Sequence, residues 1–284
     1  MHEPNLQNVP KDFNSEDNSF VISVRMAFIP NEGNVLLSAD YCQIELRILA
    51  HFSKDTVLCS ILRKEGDIFK NIAATWNNIS EDQVDDNLRQ RAKQLCYGMI
   101  YGMGVKSLAE NLKVTETEAR MFLETFMNAY PGVCQWLKDV ISEAHEKGYV
   151  TTLMERRRML PDLKSANLYE KAQAERQAVN TKIQGSAADI AKQAMVNIED
   201  RIRHEFPNSA MVMPEIGVKQ KLRNIRKDDK RGGGHLVLQL HDELLYEVNI
   251  MDLHQVSLIV KESMEQVYQL AVPLPVKIKV GSAW

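Results

Sequence analysis

Two apolar runs in this 284-residue sequence lead into carboxylates, and those carboxylates offer the clearest chemistry in the chain. One run is Val35-Leu36-Leu37-Ser38-Ala39-Asp40. The other lies in Leu236 to Val248, where two apolar stretches flank His241-Asp242-Glu243. That second pattern fits a β-hairpin whose tight connection carries polar side chains where Gly or Asn is usual, and it also fits a solvated turn between two core strands. If the strands are neighbours, Asp40 and Asp242 converge. Two such acids would hold a pair of Mg²⁺ ions about 4 Å apart, one activating an attacking oxygen and the other supporting a leaving oxygen. Mg²⁺ takes oxygen ligands and keeps several waters, so two protein carboxylates plus substrate phosphates suffice. His241 is a poor ligand for that ion and is better cast as a hydrogen-bonding group beside it.

A second set of residues lies on the stretch Leu88 to Met103. At about 100° per residue, with Arg89 as origin, Lys93, Tyr97 and Tyr101 follow at about 40°, 80° and 120°. Ala92, Leu95, Cys96, Met99 and Met103 fall on the other side and would pack. The polar side is either a solvated basic face or a place where two cations hold a polyphosphate while a ring stacks on a base. The order suits a nucleoside triphosphate lying along the helix. Arg176, Asn180 and Gln184 repeat the spacing with amides, which suits base edges or minor-groove acceptors, although polar residues on a helix face are commonplace. The chain has no G-x-x-x-x-G-K-[ST] loop, which weakens ATPase and GTPase readings.

A composition of 44% hydrophobic and 26% charged residues leaves room for one large or two modest cores. No run approaches the roughly 18 apolar residues of a membrane span, and the N-terminus lacks a charged-then-apolar signal. Cys42, Cys59, Cys96 and Cys134 show no C-x-x-C spacing and are expected to be reduced. The net charge of −3 mildly opposes nucleic-acid binding, but positive charge clusters at Arg89 to Lys93, Arg156 to Arg158 and Lys219 to Arg231. The last cluster sets seven basic residues against two acids, so its local field opposes the overall charge.

Taken in order, the chain opens with a polar arm in which Pro4 and Pro10 bracket Asn-Leu-Gln-Asn-Val, then a strand is expected over Phe20 to Phe28. The Asp40 strand and a short helix, Gln43 to Phe52, follow. From Ser53 to about Leu160 the pattern is helical. Gly66-Asp67 opens one segment, Asp85-Asp86 opens Leu88 to Met103, Thr115 and Glu118 form a capping box, and Pro131 and Gly148 bound another helix. A long helical pattern, Glu170 to His204, is interrupted at Gly185, where a kink or a boundary is expected. Residues 206–234 read as a surface insertion. The hairpin, a helix from about Asp252 to Leu270 and a strand Val276 to Val280 close the chain. The expected fold is α+β, an antiparallel sheet carrying both acids with a helical subdomain inserted between them.

Ser38 to Arg47, the set Arg89, Lys93, Tyr97-Gly98 and Tyr101-Gly102-Met103, and Leu238 to Glu243 resemble the three catalytic motifs of the A-family DNA polymerases. Pro4 to Pro10, Arg156 to Pro161 and Gln184 to Asp189 also fit, so the resemblance spans nearly the whole chain. It implies a right-hand polymerase fold: palm over 1–52 and 161–284, inserted fingers over 53–160, a basic insertion loop at 206–234, and the thumb absent. It further implies template-directed addition of deoxynucleotides to a primer 3′-OH, with a DNA primer-template and deoxynucleoside triphosphates as partners, no membrane, and two Mg²⁺ ions for which Mn²⁺ is a possible substitute.

Residue by residue, the resemblance implies that Asp40, Asp242 and the Tyr41 carbonyl bind the metals, with Glu243 secondary. Arg89 and Lys93 would hold the triphosphate, Lys93 being a candidate proton donor to departing pyrophosphate. Tyr97 would stack on the incoming nucleotide, with weak discrimination against dideoxynucleotides. Gln43 and Glu45 would belong to the nucleotide site, Glu45 blocking a ribose 2′-hydroxyl. Tyr101, Arg176, Asn180, Gln184 and His241 would line the nascent pair and primer terminus, with Arg157 and Arg158 as further DNA contacts. Metals and cations would act on charge developing during in-line displacement.

Within the family, Cys96 to Gly104, His241 to Val248 and the basic insertion resemble a eukaryotic repair subgroup, which implies the nucleus, end joining at short homologies and synthesis past lesions. Departures are Cys42 where Ser is usual and Glu155 where Gly usually precedes the Arg triplet, an anion beside a presumed DNA-facing cluster. The family's thumb, exonuclease-like domain and Thr-Gly-Arg segment before the Asn arm are absent, as are the subgroup's helicase and central regions. Duplex grip is therefore expected to be weak, and other domains of a longer polymerase to be needed. A truncated, inert DNA-binding fragment is the second reading. A metal-dependent nuclease is the third, and it leaves the Arg89 helix unexplained.

Overall fold

The computed structural model describes residue 9 and residues 13–14, 21–207 and 232–284. It divides into two compact units, Met1–Cys42 with Ala191–Val267 and Pro275–Trp284, and Gln43–Ile190 with Tyr268–Leu274. Apart from Val9, the Pro4 to Pro10 arm lies outside the described residues, as does 208–231, with the Lys219 to Arg231 cluster.

In the first unit, β1 (Phe13–Asn14) pairs antiparallel with β2 (Val21–Ile22). The strand expected over Phe20 to Phe28 stops there, because Val24–Ala27 winds into a 3-10 turn. The run has no strict alternation to bury one face, and Met26 and Ile29 stay exposed.

The main sheet has the order β6-β7-β3-β8, from β3 (Asn34–Tyr41), β6 (Gly234–Leu240), β7 (Glu243–Asn249) and β8 (Val276–Gly281). Every pairing is antiparallel. β3 is an inner strand whose end alternates, with Leu37, Ala39 and Tyr41 buried and Ser38 and Asp40 turned to the other, wetter face. α10 (Leu253–Glu265) supplies buried Val256, Ile259, Val260 and Met264, and the Tyr41 hydroxyl donates to the Met264 carbonyl at 3.1 Å. Burial pushes the Tyr41 phenol above its ordinary range, so it keeps its proton and the end of β3 stays pinned. α10 ends short of Leu270 because Tyr268–Leu274 is bound within the second unit. There Arg47 donates to the Pro273 carbonyl at 2.8 Å, and the Ala271 amide donates to His51 Nδ1 at 3.0 Å.

The second unit is helical: α1 (Ile44–Ser53), α2 (Thr56–Arg63), α3 (Ile68–Asn77), α4 (Asp86–Ile100), α5 (Val105–Leu112), α6 (Glu116–Ala129), α7 (Pro131–Lys147) and α8 (Leu168–Asn180). A short hairpin, β4 (Tyr149–Thr151) and β5 (Arg157–Met159), lies between α7 and α8. The start signals at Asp67, Asp85 and Thr115 act as expected, the first two capping α3 and α4 and Thr115 forming the capping box of α6 with Glu118; Asp55, which the sequence reading did not single out, caps α2. Each such cap contributes about 1 kcal/mol.

The pattern Glu170 to His204 resolves into α8, one π turn over Thr181–Gly185, and α9 (Ser186–Glu205). The interruption expected at Gly185 is this π turn, which ends there. A Cβ at Gly185 would lie 2.7 Å from Thr152 Cγ2, so only glycine admits the approach of β4 and its following residue. Among the described residues no helix is long and apolar enough to cross a membrane. Cys59, Cys96 and Cys134 are free thiols.

Candidate active site

In the first unit, β3 sets Asp40 opposite Glu243 of β7 and opposite Lys277 of β8. Directly opposed residues share a face, with Cβ atoms about 5 Å apart. Asp242 is the second residue of the two-residue turn between β6 and β7, and His241, the first, has φ 52°. A positive φ at the first position is what primed hairpin turns require, and a non-glycine there costs on the order of 1 kcal/mol. The exposed imidazole is thus held in a backbone region that favours Gly or Asn. The Tyr41 amide donates to the Asp242 carbonyl at 3.2 Å, which ties the turn to β3 one residue past Asp40.

Burial raises the Asp242 carboxyl above its ordinary range; its own amide and His241 pull it back, and the Glu243 charge pushes it up further. A desolvated carboxylate beside another acid is relieved by a cation, and hard oxygen donors fit Mg²⁺. Among the described residues no group of three or more His, Cys, Asp or Glu is arranged to hold a metal ion.

Glu243 is committed elsewhere. Its Oε1 accepts from Ser38 Oγ at 2.6 Å and from the Trp284 indole at 3.3 Å, while Arg25 Nη1 lies 3.9 Å from Oε2. The Arg25 guanidinium also sits 4.1 Å over the Trp284 ring. Arg25 and Trp284 were not predicted as site residues, and Ser38 only as part of a motif. Period-two alternation would have placed Ser38 on the Asp40 face. A lone arginine in an apolar run was the only sign of Arg25, and Trp284 gave none.

In the second unit, Ala92, Leu95, Cys96 and Met99 of α4 are buried and Arg89, Lys93 and Tyr97 are partly exposed, as the helical spacing predicted. The helix ends at Ile100, so Tyr101 is its cap and Met103 lies beyond it. Phe69, in the first turn of α3, lies beside all three polar-face residues: 5.8 Å from the Arg89 guanidinium, 5.8 Å from Lys93 Nζ and 6.1 Å from the Tyr97 ring. Tyr97 and Tyr101 stack at 5.9 Å.

The Tyr101 hydroxyl donates to Glu45 at 2.7 Å. Burial and the Glu45 charge raise its pKa, while Gln184 lowers it through a hydrogen bond. Gly102, at φ 61°, lets Arg176 lie on the backbone, since a Cβ there would be 2.8 Å from Arg176 Cγ. Glu45, Tyr101, Gln184 and Arg176 are thus brought together. Gln184 lies within the π turn Thr181–Gly185, so its angular spacing from Asn180 is smaller than in a regular α-helix. Asn180 Oδ1 is buried without a hydrogen-bond partner among the described residues.

Arg158 donates to Thr181 Oγ1 at 2.9 Å and to Gln177 at 3.3 Å, while exposed Arg157 lies 4.3 Å over the Tyr149 ring. Arg156 pairs with Asp189 at 2.8 Å. Glu155 has φ 60°, the conformation for which glycine is the usual residue. Gln43, at φ 50°, is the N-cap of α1.

The family model described as DNA polymerase family A matches residues 1–284, and the chain belongs to that family. It is 45% identical to mouse (Mus musculus) DNA polymerase theta over 93% of its own length and 11% of that protein. To Drosophila melanogaster DNA polymerase theta it is 42% identical over 100% of its length and 13% of that protein. These identities agree with the eukaryotic subgroup that Cys96 to Gly104 and His241 to Val248 resemble. A solved structure described as the POL domain of Pol1 from M. smegmatis, in complex with DNA primer-template and dNTP, matches with a TM-score of 0.83 at 36% identity. That match covers 99% of this chain and 44% of the other.

Proposed function

We propose that this chain is the palm-and-fingers core of a template-directed DNA polymerase, adding deoxynucleotides to a primer 3′-OH. The observation that carries the reading is the placement of Asp40 and Asp242 on adjoining elements joined by the Tyr41 amide, with Asp242 desolvated. The palm is assigned to 1–52 and 161–284, the fingers to 53–160, and the thumb to none of these residues. Likeness to theta supports a nuclear role in repair, by end joining or lesion bypass.

Asp40, Asp242 and the Tyr41 carbonyl would hold two divalent ions, Mg²⁺ by the hardness of the donors with Mn²⁺ as a substitute. Such ions, when bound, neutralise charge on the attacking and leaving oxygens. Glu243 acts indirectly, because Ser38 and Trp284 already occupy its Oε1. On α4, Arg89 and Lys93 bind the triphosphate by charge-assisted hydrogen bonds, and Lys93 can give a proton to the departing pyrophosphate. Tyr97 stacks on the incoming base. Gln43 and Glu45 complete the nucleotide site, Glu45 closing off the space of a 2′-hydroxyl. Arg176, Asn180, Gln184 and His241 contact the primer terminus, and Arg157 and Arg158 contact DNA through phosphates.

Primer extension with Mg²⁺ and all four deoxynucleotides on four different template sequences tests the reading. Products that follow the template support it. DNA binding without extension would favour an inert DNA-binding fragment, and primer shortening would favour a nuclease.

A further inference from the structure

Asp67 joins the first turn of α3 to the α4 row. As the N-cap of α3, its Oδ1 accepts the amides of Phe69 at 3.0 Å and Lys70 at 3.1 Å, while Oδ2 accepts Arg89 Nε at 2.7 Å. The carboxylate is therefore immobilised by a helix end before it meets the guanidinium. We propose that Asp67 is a positioning residue for nucleotide binding, fixing the Arg89 guanidinium through Nε so that its Nη edge is presented to a phosphate.

This rests on the reading of α4 as the triphosphate-binding helix. Arginine's donors are set in a rigid plane, so fixing Nε fixes the direction of the edge that binds phosphate bidentately. Both side chains are about one-third exposed, 27% for Arg89 and 35% for Asp67, and pairs so exposed contribute little to stability. Orientation is the contribution that remains. Burial would raise the Asp67 carboxyl, but Arg89 and the capping amides outweigh it and hold it below the ordinary range, so the anion persists at neutral pH.

Asp67→Asn is the informative variant, because asparagine caps helices as well as aspartate but offers Arg89 no charge. The full chain, Asp67→Asn, Arg89→Ala and the double variant are compared in dNTP-dependent extension and by calorimetric titration of dATP with Mg²⁺. Asp67→Asn should raise KM and Kd about tenfold, the size of one charge-assisted hydrogen bond, with kcat within about twofold and Tm unchanged. In the Arg89→Ala background the second change should do nothing. An unshifted Kd in Asp67→Asn, or an equal added loss in the Arg89→Ala background, overturns the proposal. Absence of extension by the unaltered chain would overturn the polymerase reading instead, and the titration still decides the role of Asp67.

Discussion

The amide of Tyr41 donates to the carbonyl of Asp242 at 3.2 Å, and this bond closes the inner strand of the sheet onto the hairpin turn. It lies one residue from Asp40 along one strand and at Asp242 itself on the other. With the Tyr41 hydroxyl anchored on Met264, the backbone that carries the two aspartates is held by sheet and helix together.

That arrangement has a stability consequence. The folded-state carboxyl of Asp242 titrates above its unfolded value, chiefly through burial, so the protonated form favours folding. The favourable contribution is present below the unfolded pKa and is lost as pH rises through the folded one. At neutral pH the charge is therefore a burden, and Asp242→Asn should raise Tm there, with the gain vanishing in acid. Thermal melts of both proteins from pH 3 to pH 8, without divalent ions, measure this.

Glu45 and Tyr101 should act as a pair in sugar selection. Glu45→Ala should relax discrimination against ribonucleotides by about a hundredfold, because it removes the side chain proposed to close off the 2′-hydroxyl. Tyr101→Phe keeps Glu45 but removes the hydrogen bond at 2.7 Å, and should relax it by about tenfold. The ratio of kcat/KM for a ribonucleotide and its deoxy counterpart reports both.

Ser38 and Trp284 should matter through Glu243. Ser38→Ala leaves one carboxylate oxygen without its bond at 2.6 Å, freeing Glu243 to swing toward the aspartates. The expected result is a two- to fivefold change in the Mg²⁺ concentration for half-maximal extension, on the order of 1 kcal/mol or less, with KM for nucleotide unchanged. Trp284→Phe, which keeps the ring beneath Arg25 and loses only the indole donor, should have the smaller effect of the two.

Glu155 sits at φ 60° with its side chain in solvent. Glu155→Gly should stabilise folding by about 1 kcal/mol, since glycine adopts that backbone without steric cost. Urea denaturation midpoints at constant m value are the check.

Much of this was legible in the sequence because the signals were local. Apolar alternation into Asp40, the hairpin around His241-Asp242, the caps at Asp67, Asp85 and Thr115, and the packed side of α4 all depend on neighbours within a few residues. Long-range contacts were hidden. Nothing in the sequence joined Arg25, Ser38 and Trp284 to Glu243, or Asp67 to Arg89. The π turn over Thr181–Gly185 escaped helical-wheel reasoning, which assumes an unbroken α spacing. The short 3-10 turn at Val24–Ala27 also defeated a strand reading based on apolar content alone.

The most direct test of the account is single-turnover primer extension by the unaltered chain, Asp40→Asn and Asp242→Asn at saturating Mg²⁺, deoxynucleotide and DNA. The account predicts templated extension by the first and a loss of about a thousandfold or more in each variant, several kcal/mol of transition-state stabilisation, with DNA binding retained. Extension by Asp242→Asn within about tenfold of the unaltered chain, a loss of only about 1.4 kcal/mol, would contradict it.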